Sequence, residues 1–300
     1  MMNIRKKFAY ILVITACFGG ASSSLAQSID PATADGFVKI NRKIQCSLED
    51  NYEAVYRWSG RGYSRVPGEP DKHLFNLEGM NVRQCVAVTD KLRGVGFKMV
   101  SREIMLYLDP ITGELMDTWT NPWTGDQKAT IHVANDPVNS REPTFGKTKQ
   151  GKTIPFDLVD INGTYLWAIE VPLFYTNPLA GDYQKYVGGT YHATEIFDFN
   201  GSTKELLDSQ QDIAYPAVSW VRIAKWLPWM QMGDRTGLLY FNAIGKKLES
   251  YDQLPKIIKD TIATRYPAYR HAPPTDDTRP NETSWTYMKK IIDSRTAEPK

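Results

Sequence analysis

The chain has 300 residues, of which 42% are hydrophobic, 12% aromatic and 23% charged, and its formal net charge is +2. Such a chain can bury a large core, and its aromatic content is high. The near-neutral charge argues against nucleic-acid binding, which depends on clustered Lys and Arg.

The N-terminus has the three-part pattern of a cleavable secretory signal. Residues 5–7 are Arg-Lys-Lys, residues 8–18 are apolar except for Thr15, and small side chains lead to Ala26. The apolar run is too short for a transmembrane helix, which needs ~20 residues, and no later segment is apolar enough to span a membrane. We therefore expect an exported protein, periplasmic or secreted, with residues 27–300 as one domain. Loss of three cationic and no acidic residues leaves that domain one unit negative.

A second processing site competes with cleavage after Ala26. The sequence Ile-Thr-Ala-Cys at residues 14–17 has the form of a lipobox, which would leave a lipid anchor on Cys17. Either route removes Cys17 from the folding problem, so Cys46 and Cys85 remain. In an oxidising compartment these two residues form a disulfide or stay as two buried thiols that never meet.

Hydrophobic periodicity predicts a helix followed by many strands. Residues 30–51 place Phe37, Ile40, Ile44 and Leu48 on one helical face. Alternating stretches then predict strands over residues 55–60, 97–107, 115–120, 129–133, 164–171, 191–199, 217–223 and 238–243.

Two similar turns separate some of these strands. Residues 109–114 (Asp-Pro-Ile-Thr-Gly-Glu) are echoed by residues 121–126 (Asn-Pro-Trp-Thr-Gly-Asp), with Pro and Gly at the positions that a tight turn requires. This spacing indicates an antiparallel meander. Late helices are predicted over residues 252–265, capped by Ser250 or Asp252, and after Asn281.

These elements predict an α+β fold dominated by antiparallel sheet, with one N-terminal helix and C-terminal helices. A sheet of so many strands has to protect its edges. We therefore expect it to curl or close into a barrel, like a lipocalin or another calycin.

Four stretches resemble the signature of a bacterial and fungal family, domain-of-unknown-function family 1838. They are residues 119–125 (Trp-Thr-Asn-Pro-Trp-Thr-Gly), 132–139, 225–233 and 269–285. The stretches occur in order across nearly all of the mature chain. The resemblance implies a single domain, and it carries no established reaction, cofactor or catalytic residue.

Standard catalytic signatures are absent from the sequence. It has no G-x-S-x-G, H-E-x-x-H, Walker or G-x-G-x-x-G motif. His132 and Asp136 lie where a strand runs into a turn at Pro137, beside Asn135. They are the first candidates for acid–base catalysis, if the turn brings them together. The alternative is that the polar side chains bond the turn backbone and His132 packs beside them.

A second candidate group lies in two later strands. His192 and Glu195 would share a face on a helix, but on a strand they point to opposite faces, so metal binding by this pair is not expected. A Glu in an apolar strand is costly to bury without a partner, and Arg222 is the natural partner.

The remaining candidates are aromatic or lie near the tail. Trp226 and Trp229 are placed to line an apolar pocket or to fill the core at one end of the sheet. The full set of candidate ligand-binding residues is Trp123, Asn135, His192, Glu195, Arg222, Trp226, Trp229 and His271.

Three functions fit this sequence. The first is the binding of a small apolar or aromatic molecule in an aromatic-lined cavity. The second is an enzyme that acts on such a molecule by acid–base chemistry around His132 and Asp136. The third is a cell-envelope interaction module without a small ligand. The sequence assigns no metal and no cofactor.

Overall fold

The computed structural model describes residues 28–179 and 188–297. The expected signal, residues 1–26 with Cys17, lies outside the described residues. Within the described ranges the chain forms twelve strands and four α-helices. The strands are β1 (Ala54–Arg65), β2 (His73–Asp90), β3 (Gly94–Leu108), β4 (Thr118–Thr120), β5 (Gln127–Ala129), β6 (Val133–Asn135), β7 (Thr144–Phe145), β8 (Val159–Ile161), β9 (Thr164–Thr176), β10 (Thr190–Ser202), β11 (Ala217–Ala224) and β12 (Leu238–Leu248). The helices are α1 (Ala34–Gln45), α2 (Thr203–Leu207), α3 (Lys256–Arg265) and α4 (Ser284–Ala297).

Most strands belong to one antiparallel sheet. Its order is β6-β3-β2-β1-β12-β11-β10-β9-β8, with β7 also paired to β3, while β4 and β5 form a separate hairpin. The predicted antiparallel α+β class is therefore confirmed. In the described part of the chain the pairing leaves two ends, β6 and β8, so closure into a lipocalin-like barrel is not confirmed.

Strand β2 is the longest strand of the described chain and the main element that periodicity misses. Its central residues Met80, Asn81 and Val82 are buried in succession, so both faces of the strand are covered. A strand covered on both faces does not alternate between apolar and polar residues, which is the signal that the sequence analysis used.

The prediction of a continuous strand over residues 129–133 is wrong for residues 130–132. Strand β5 ends at Ala129 and β6 begins at Val133. Between them, the ring of His132 accepts a hydrogen bond from the backbone N–H of Tyr107 at 3.1 Å, which replaces a backbone partner in the ladder. Residues 115–117 also lie outside the strand predicted there, because β4 starts only at Thr118.

Both repeated turns form as predicted, but the predicted helix caps do not. Gly113 and Gly125 have φ of 73° and 78°, a conformation that glycine adopts without steric cost. Helix α3 starts after Pro255 without a side-chain cap. Thr283 caps the N-terminus of α4, since its hydroxyl accepts a hydrogen bond from the backbone N–H of Thr286 at 3.2 Å.

The helices cover different parts of the two sheet faces. Residues paired in register point to the same face, and we call the face that carries Trp58, Tyr107, Glu195 and Arg222 the inner face. Helices α1 and α2 cover one end of the inner face, and α4 with the turn at Pro228–Met230 covers the other. Helix α3 packs on the outer face of β1, β2 and β3.

Two buried lysines fix α1 to the sheet and to α2. The Lys247 ammonium donates to the carbonyls of Lys43 and Cys46, at 2.6 Å and 2.8 Å. The Lys43 ammonium donates to the carbonyls of Glu205 and Asp208, each at 2.8 Å. Carbonyls at a helix C-terminus lack intrahelical partners and attract cations. Burial lowers the pKa of Lys43 to about 8 and lowers the pKa of Lys247 well below its usual range.

A disulfide joins the end of α1 to β2. Cys46 follows α1 directly and is bonded to Cys85, and both side chains are fully buried. The bond closes a loop with a sequence separation of 39 residues. In the chain-entropy account, such a loop restricts the unfolded chain and thereby stabilises the folded one.

This disulfide predicts a specific thiol count and a specific stability loss. Protein unfolded without reductant should show no free thiol beyond Cys17, where that residue is retained. The double variant Cys46→Ser, Cys85→Ser should lose about 2–4 kcal/mol of unfolding free energy, measured by urea denaturation. Reduced wild-type protein should fall to about the stability of the variant. Two additional free thiols in the unreduced protein would contradict the bond.

Candidate functional site

The middle of the inner face holds side chains that neither group of helices covers completely. Between α1 and α2 at one end and α4 at the other, several large apolar side chains of the inner face stay partly exposed. They are Trp58, Trp167, Ile169, Val171 and Phe197. Among them lie acidic, basic and phenolic groups on β3, β10 and β11. We call Trp58, Glu103, Tyr107, Tyr191, Glu195 and Arg222 the inner-face site.

Trp58 owes its position to a glycine on the neighbouring strand. A Cβ atom at Gly79 would stand 2.1 Å from the Trp58 indole, so only glycine leaves room for the ring to lie across β2. The indole Nε1 of Trp58 is buried and has no hydrogen-bond partner among the described residues. The ring therefore offers the site an apolar surface and a free donor.

Arg222 is the central cation of the inner-face site. Its Nη1 lies 3.3 Å from Oε1 of Glu195, and its Nη2 donates to the Tyr191 hydroxyl at 3.1 Å. The side chains of Glu195 and Arg222 are only 18% and 14% exposed, so the pairing predicted from the cost of burying Glu195 is present. Within the described chain, the Arg222 Nε is buried without a partner.

Glu103 is a second acidic group on the same face. In the sheet it stands directly opposite Asn81 of β2 and Asn135 of β6. Burial and the negative charge of Glu195 raise the pKa of Glu103 to about 7, against the opposing effects of Arg222 and Arg83. Near neutral pH this carboxyl is therefore divided between its acid and its carboxylate form. The acid form has a proton to donate, and Asn135 Oδ1 is a buried acceptor without a described partner.

Aromatic side chains from two other elements, the turn at Pro228–Met230 and α4, close one end of the site. The ring of Tyr107 lies 5.5 Å from Trp229, and the ring of Tyr191 lies 5.6 Å from Trp285 of α4. The Tyr107 hydroxyl and the Nε1 atoms of both tryptophans are buried and have no partner in the described ranges. Burial raises the pKa of the Tyr107 phenol, so it stays protonated at neutral pH.

His132 and Asp136 are not brought together by the turn at Pro137. His132 is 4% exposed, and its Nδ1 accepts from the Tyr107 backbone, so the neutral ring carries its proton on Nε2. Burial, aided by Arg265, lowers the pKa of His132 to about 4. The Asp136 carboxylate pairs instead with Arg102 at 3.0 Å and with Arg279 at 2.7 Å. Their positions are those expected of structural residues.

The other sequence candidates divide between the inner-face site and positions outside it. His192 points to the outer face and meets Phe174 edge-on at 5.9 Å, as the geometry of a strand requires. His271 is exposed, with Nδ1 2.9 Å from Oε2 of Glu53. Asn135 and Trp229 do reach the site, through Glu103 and Tyr107 respectively.

Trp123 and Trp226 form a separate aromatic contact near β4. Their rings meet edge-to-face at 5.6 Å. Trp123 Nε1 donates to Oε2 of Glu69 at 2.7 Å, and the Arg235 guanidinium lies 4.9 Å from the centre of its ring. Trp226 Nε1 donates to the Arg235 carbonyl at 2.9 Å. With both indole N–H groups occupied, this pair packs the end of the sheet.

The sequence analysis missed Trp58, Glu103, Tyr107 and Tyr191. Glu103 is a Glu inside a strand, as Glu195 is, but Ser101 and Arg102 precede it, so the apolar context that singled out Glu195 is weaker there. The other three are aromatic residues in strands, and aromatic residues in strands are usually core.

Two kinds of feature are absent from residues 28–179 and 188–297. No group of three or more His, Cys, Asp or Glu residues is placed there to hold a metal ion. None of the helices in these ranges is long and apolar enough to cross a membrane.

The sequence matches a family described as a protein of unknown function, DUF1838, over residues 51–292. The chain belongs to DUF1838. The DUF1838 match includes all twelve strands and every residue of the inner-face site, while α1 precedes it. No curated protein matches the chain.

The raised pKa of Glu103 predicts a pH-dependent contribution to stability. The folded state binds more protons at Glu103 than the unfolded state between pH about 4.5 and 7. The contribution of Glu103 to stability is therefore complete below pH about 4.5 and is lost as the pH rises through about 7. Relative to Glu103→Gln, wild-type protein should lose about 1–3 kcal/mol of unfolding free energy across this range, at about 1.4 kcal/mol per pH unit.

The measurement is urea denaturation of both proteins at a series of pH values. Glu170→Gln is the matched control, because Glu170 is an exposed residue on the outer face of β9. A free-energy difference between wild type and Glu103→Gln that stays constant with pH would show that Glu103 has an ordinary pKa.

Proposed function

We propose that this DUF1838 protein is exported and binds a small apolar or aromatic molecule on the inner face of its sheet. The observation that carries the proposal is the coexistence of partly exposed aromatic surface with a few buried polar groups. Ligand sites in proteins are mostly apolar and contain a small number of convergent polar groups. The inner-face site and its surroundings have this composition, since Trp58 and the neighbouring Phe197 lie on the same face as Arg222 and Glu195.

A concave, barrel-like sheet would give the ligand an enclosed site, and electrostatic contacts support this shape. Strands β3 and β10 are five positions apart in the sheet order. In a flat sheet that separation is about 24 Å, at about 4.8 Å per strand, well beyond the distance at which charges act in water. Nevertheless Glu195 on β10 raises the pKa of Glu103 on β3, and Arg222 lowers it.

The C-terminal segment supports the same shape. The Asn281 side chain accepts from the backbone N–H of Asn139, which follows β6, at 2.8 Å. Two residues later, the Thr283 side chain acts on the phenol of Tyr175 on β9 and lowers its pKa against the effect of burial. One short segment thus reaches towards both ends of the sheet order, which favours a curled sheet.

Export is supported by two independent features of the chain. The first is the signal pattern of residues 1–26, with the lipobox at Cys17 as its lipid-anchored alternative. The second is the buried disulfide of Cys46 and Cys85, because disulfides persist in oxidising compartments such as the periplasm.

Acid–base catalysis is the second candidate function, and Glu103 is the observation that favours it. A general acid or base works best with a pKa near the working pH, and the pKa of Glu103 is about 7. Glu103 also faces the site, whereas His132 and Asp136 are held in structural bonds. An enzyme would therefore use Glu103, with Arg222 holding the substrate.

The binding proposal predicts different effects for two phenylalanines on opposite faces. Phe197 lies on the inner face, while Phe174, on the neighbouring strand, is 72% exposed on the outer face. The neutral fluorescent probe N-phenyl-1-naphthylamine should bind wild-type protein saturably, at one molecule per chain. Phe197→Ala should weaken this binding about tenfold, since a buried aromatic contact contributes about 1.5–3 kcal/mol, and Phe174→Ala should leave it unchanged.

The natural ligand is sought by native mass spectrometry of protein purified from its own host. A co-purifying mass that Phe197→Ala loses and Phe174→Ala retains would support the inner-face site. Equal loss of probe binding in both variants, or probe binding that never saturates, would overturn the proposal and favour a surface interaction module.

A further inference from the structure

We infer that the ligand of the inner-face site is a small aromatic or apolar carboxylic acid, whose carboxylate is held by Arg222 and Tyr107. This inference rests on the proposed function and specifies the chemistry of the molecule. The hydrogen-bonding groups at the end of the site near α4, and the charges around them, support it.

Buried hydrogen-bond donors at this end of the site have nothing to donate to. They are the Tyr107 hydroxyl, the Arg222 Nε and the Nε1 atoms of Trp229 and Trp285, none of which has a partner in the described chain. Tyr107, Trp229 and Trp285 are at most 2% exposed. Most buried polar groups in folded proteins are paired, so a cluster of unpaired donors requires an explanation.

These donors belong to one connected cluster. Arg222 bonds the Tyr191 hydroxyl at 3.1 Å, and the Tyr191 ring contacts Trp285 at 5.6 Å. The Tyr107 ring contacts Trp229 at 5.5 Å. The two halves meet through Phe75 and Phe241: the ring of Phe75 lies 4.8 Å from that of Tyr107 and 6.0 Å from that of Phe241, and Phe241 is paired with Arg222 in the sheet. In agreement with this, the charge of Arg222 lowers the phenol pKa of Tyr107 against the effect of burial.

A cluster of donors fits a group that only accepts. A carboxylate has two oxygens with about four lone-pair sites and no proton, so it can use several donors at once. Bonds from Arg to a carboxylate are also stronger than bonds between neutral groups. The bonds to Glu195 and Tyr191 use two of the five N–H donors of Arg222, and the Nε has no partner in the described chain, so the guanidinium keeps donors for the ligand.

The surface next to Arg222 determines which kind of group can follow the carboxylate in the ligand. From Arg222 the inner face continues across Glu195 of β10 to Val171 of β9, with Phe197 and Ile169 paired one step along the same strands. Phe197, Ile169 and Val171 are partly exposed and apolar. A carboxylate at Arg222 therefore places an aromatic or aliphatic body against an apolar surface.

The charge of the site makes binding depend on the protonation of Glu103. The charged and titratable groups that act on Glu103 are Glu195 from β10, Arg222 from β11, Arg83 from β2 and Tyr107 from its own strand. When Glu103 is neutral, Arg222 faces one paired carboxylate and can accept a second from the ligand. When Glu103 is ionised, the ligand meets an additional negative charge. Binding of the acid should therefore weaken as the pH rises through about 7.

The test compares two probes that differ only in the head group. 2-Naphthylacetic acid and 2-(2-naphthyl)ethanol share a ring system and a chain length, and isothermal titration calorimetry measures both on the whole exported protein. At pH 6.5 the acid should bind wild-type protein about tenfold more tightly than the alcohol, because only the acid makes charged hydrogen bonds. The acid should then lose affinity between pH 6.5 and 8.5, and Glu103→Gln should remove this loss.

Two variants locate the carboxylate while keeping the fold. Tyr107→Phe keeps the ring and removes only the unpaired hydroxyl, so it should weaken the acid about fivefold or more and leave the alcohol unchanged. The double variant Arg222→Gln, Glu195→Gln replaces the ion pair by two amides, which avoids a buried unpaired charge, and it should abolish the preference for the acid. Tyr240→Phe, on the outer face of β12, is the matched control and should change neither affinity.

Different results would contradict the carboxylate inference and the binding proposal. Equal affinity for acid and alcohol would overturn the carboxylate inference and leave the binding proposal standing. Ordered water molecules would then accept the hydrogen bonds of the buried donors. A preference for the acid that survives Tyr107→Phe and the double variant would also overturn it, since the head group would then lie elsewhere. Failure of both probes to bind would overturn the binding proposal itself.

Discussion

The pairing of β1 with β12 is the constraint on which the rest of the fold depends. Eleven residue pairs, from Val55 with Leu248 to Arg65 with Leu238, join strands at opposite ends of the sequence in the middle of the sheet. The pairing unites β2 and β3 on one side with β9, β10 and β11 on the other. Contacts so distant in sequence are slow to form, since a long loop has to close before they stabilise anything.

This pairing also creates the inner-face site, because it places two sets of polar groups on one face. Glu103 comes from the half before the pairing, and Glu195 with Arg222 comes from the half after it. Neither set is complete alone: Arg222 needs Glu195 to be buried, and the pKa of Glu103 depends on both. The site is therefore a property of the joined sheet, and separate halves of the chain would not contain it.

Some polar groups of this protein join separate elements through their bonds, whereas others are buried without a partner in the described chain. Lys43, Lys247, Asp136 and His132 each have close partners and hold helices, loops or strand ends in place. Around Arg222, donors are buried in excess of acceptors. A satisfied network stabilises the fold and an unsatisfied one costs free energy, and this excess of donors is the observation on which the proposed carboxylate site rests.

The sequence by itself determined what local physical chemistry dictates. Alternation and turn residues predicted the antiparallel sheet and both proline-glycine turns, and the cost of burying a carboxylate paired Glu195 with Arg222. The tertiary structure decided three further features. The first is strand β2, which has no clear periodicity because both of its faces are covered. The others are the separation of His132 from Asp136 and the position of Glu103 on the same face as Arg222. These depend on strand register and on pairing between distant parts of the chain, which no local pattern of residues encodes.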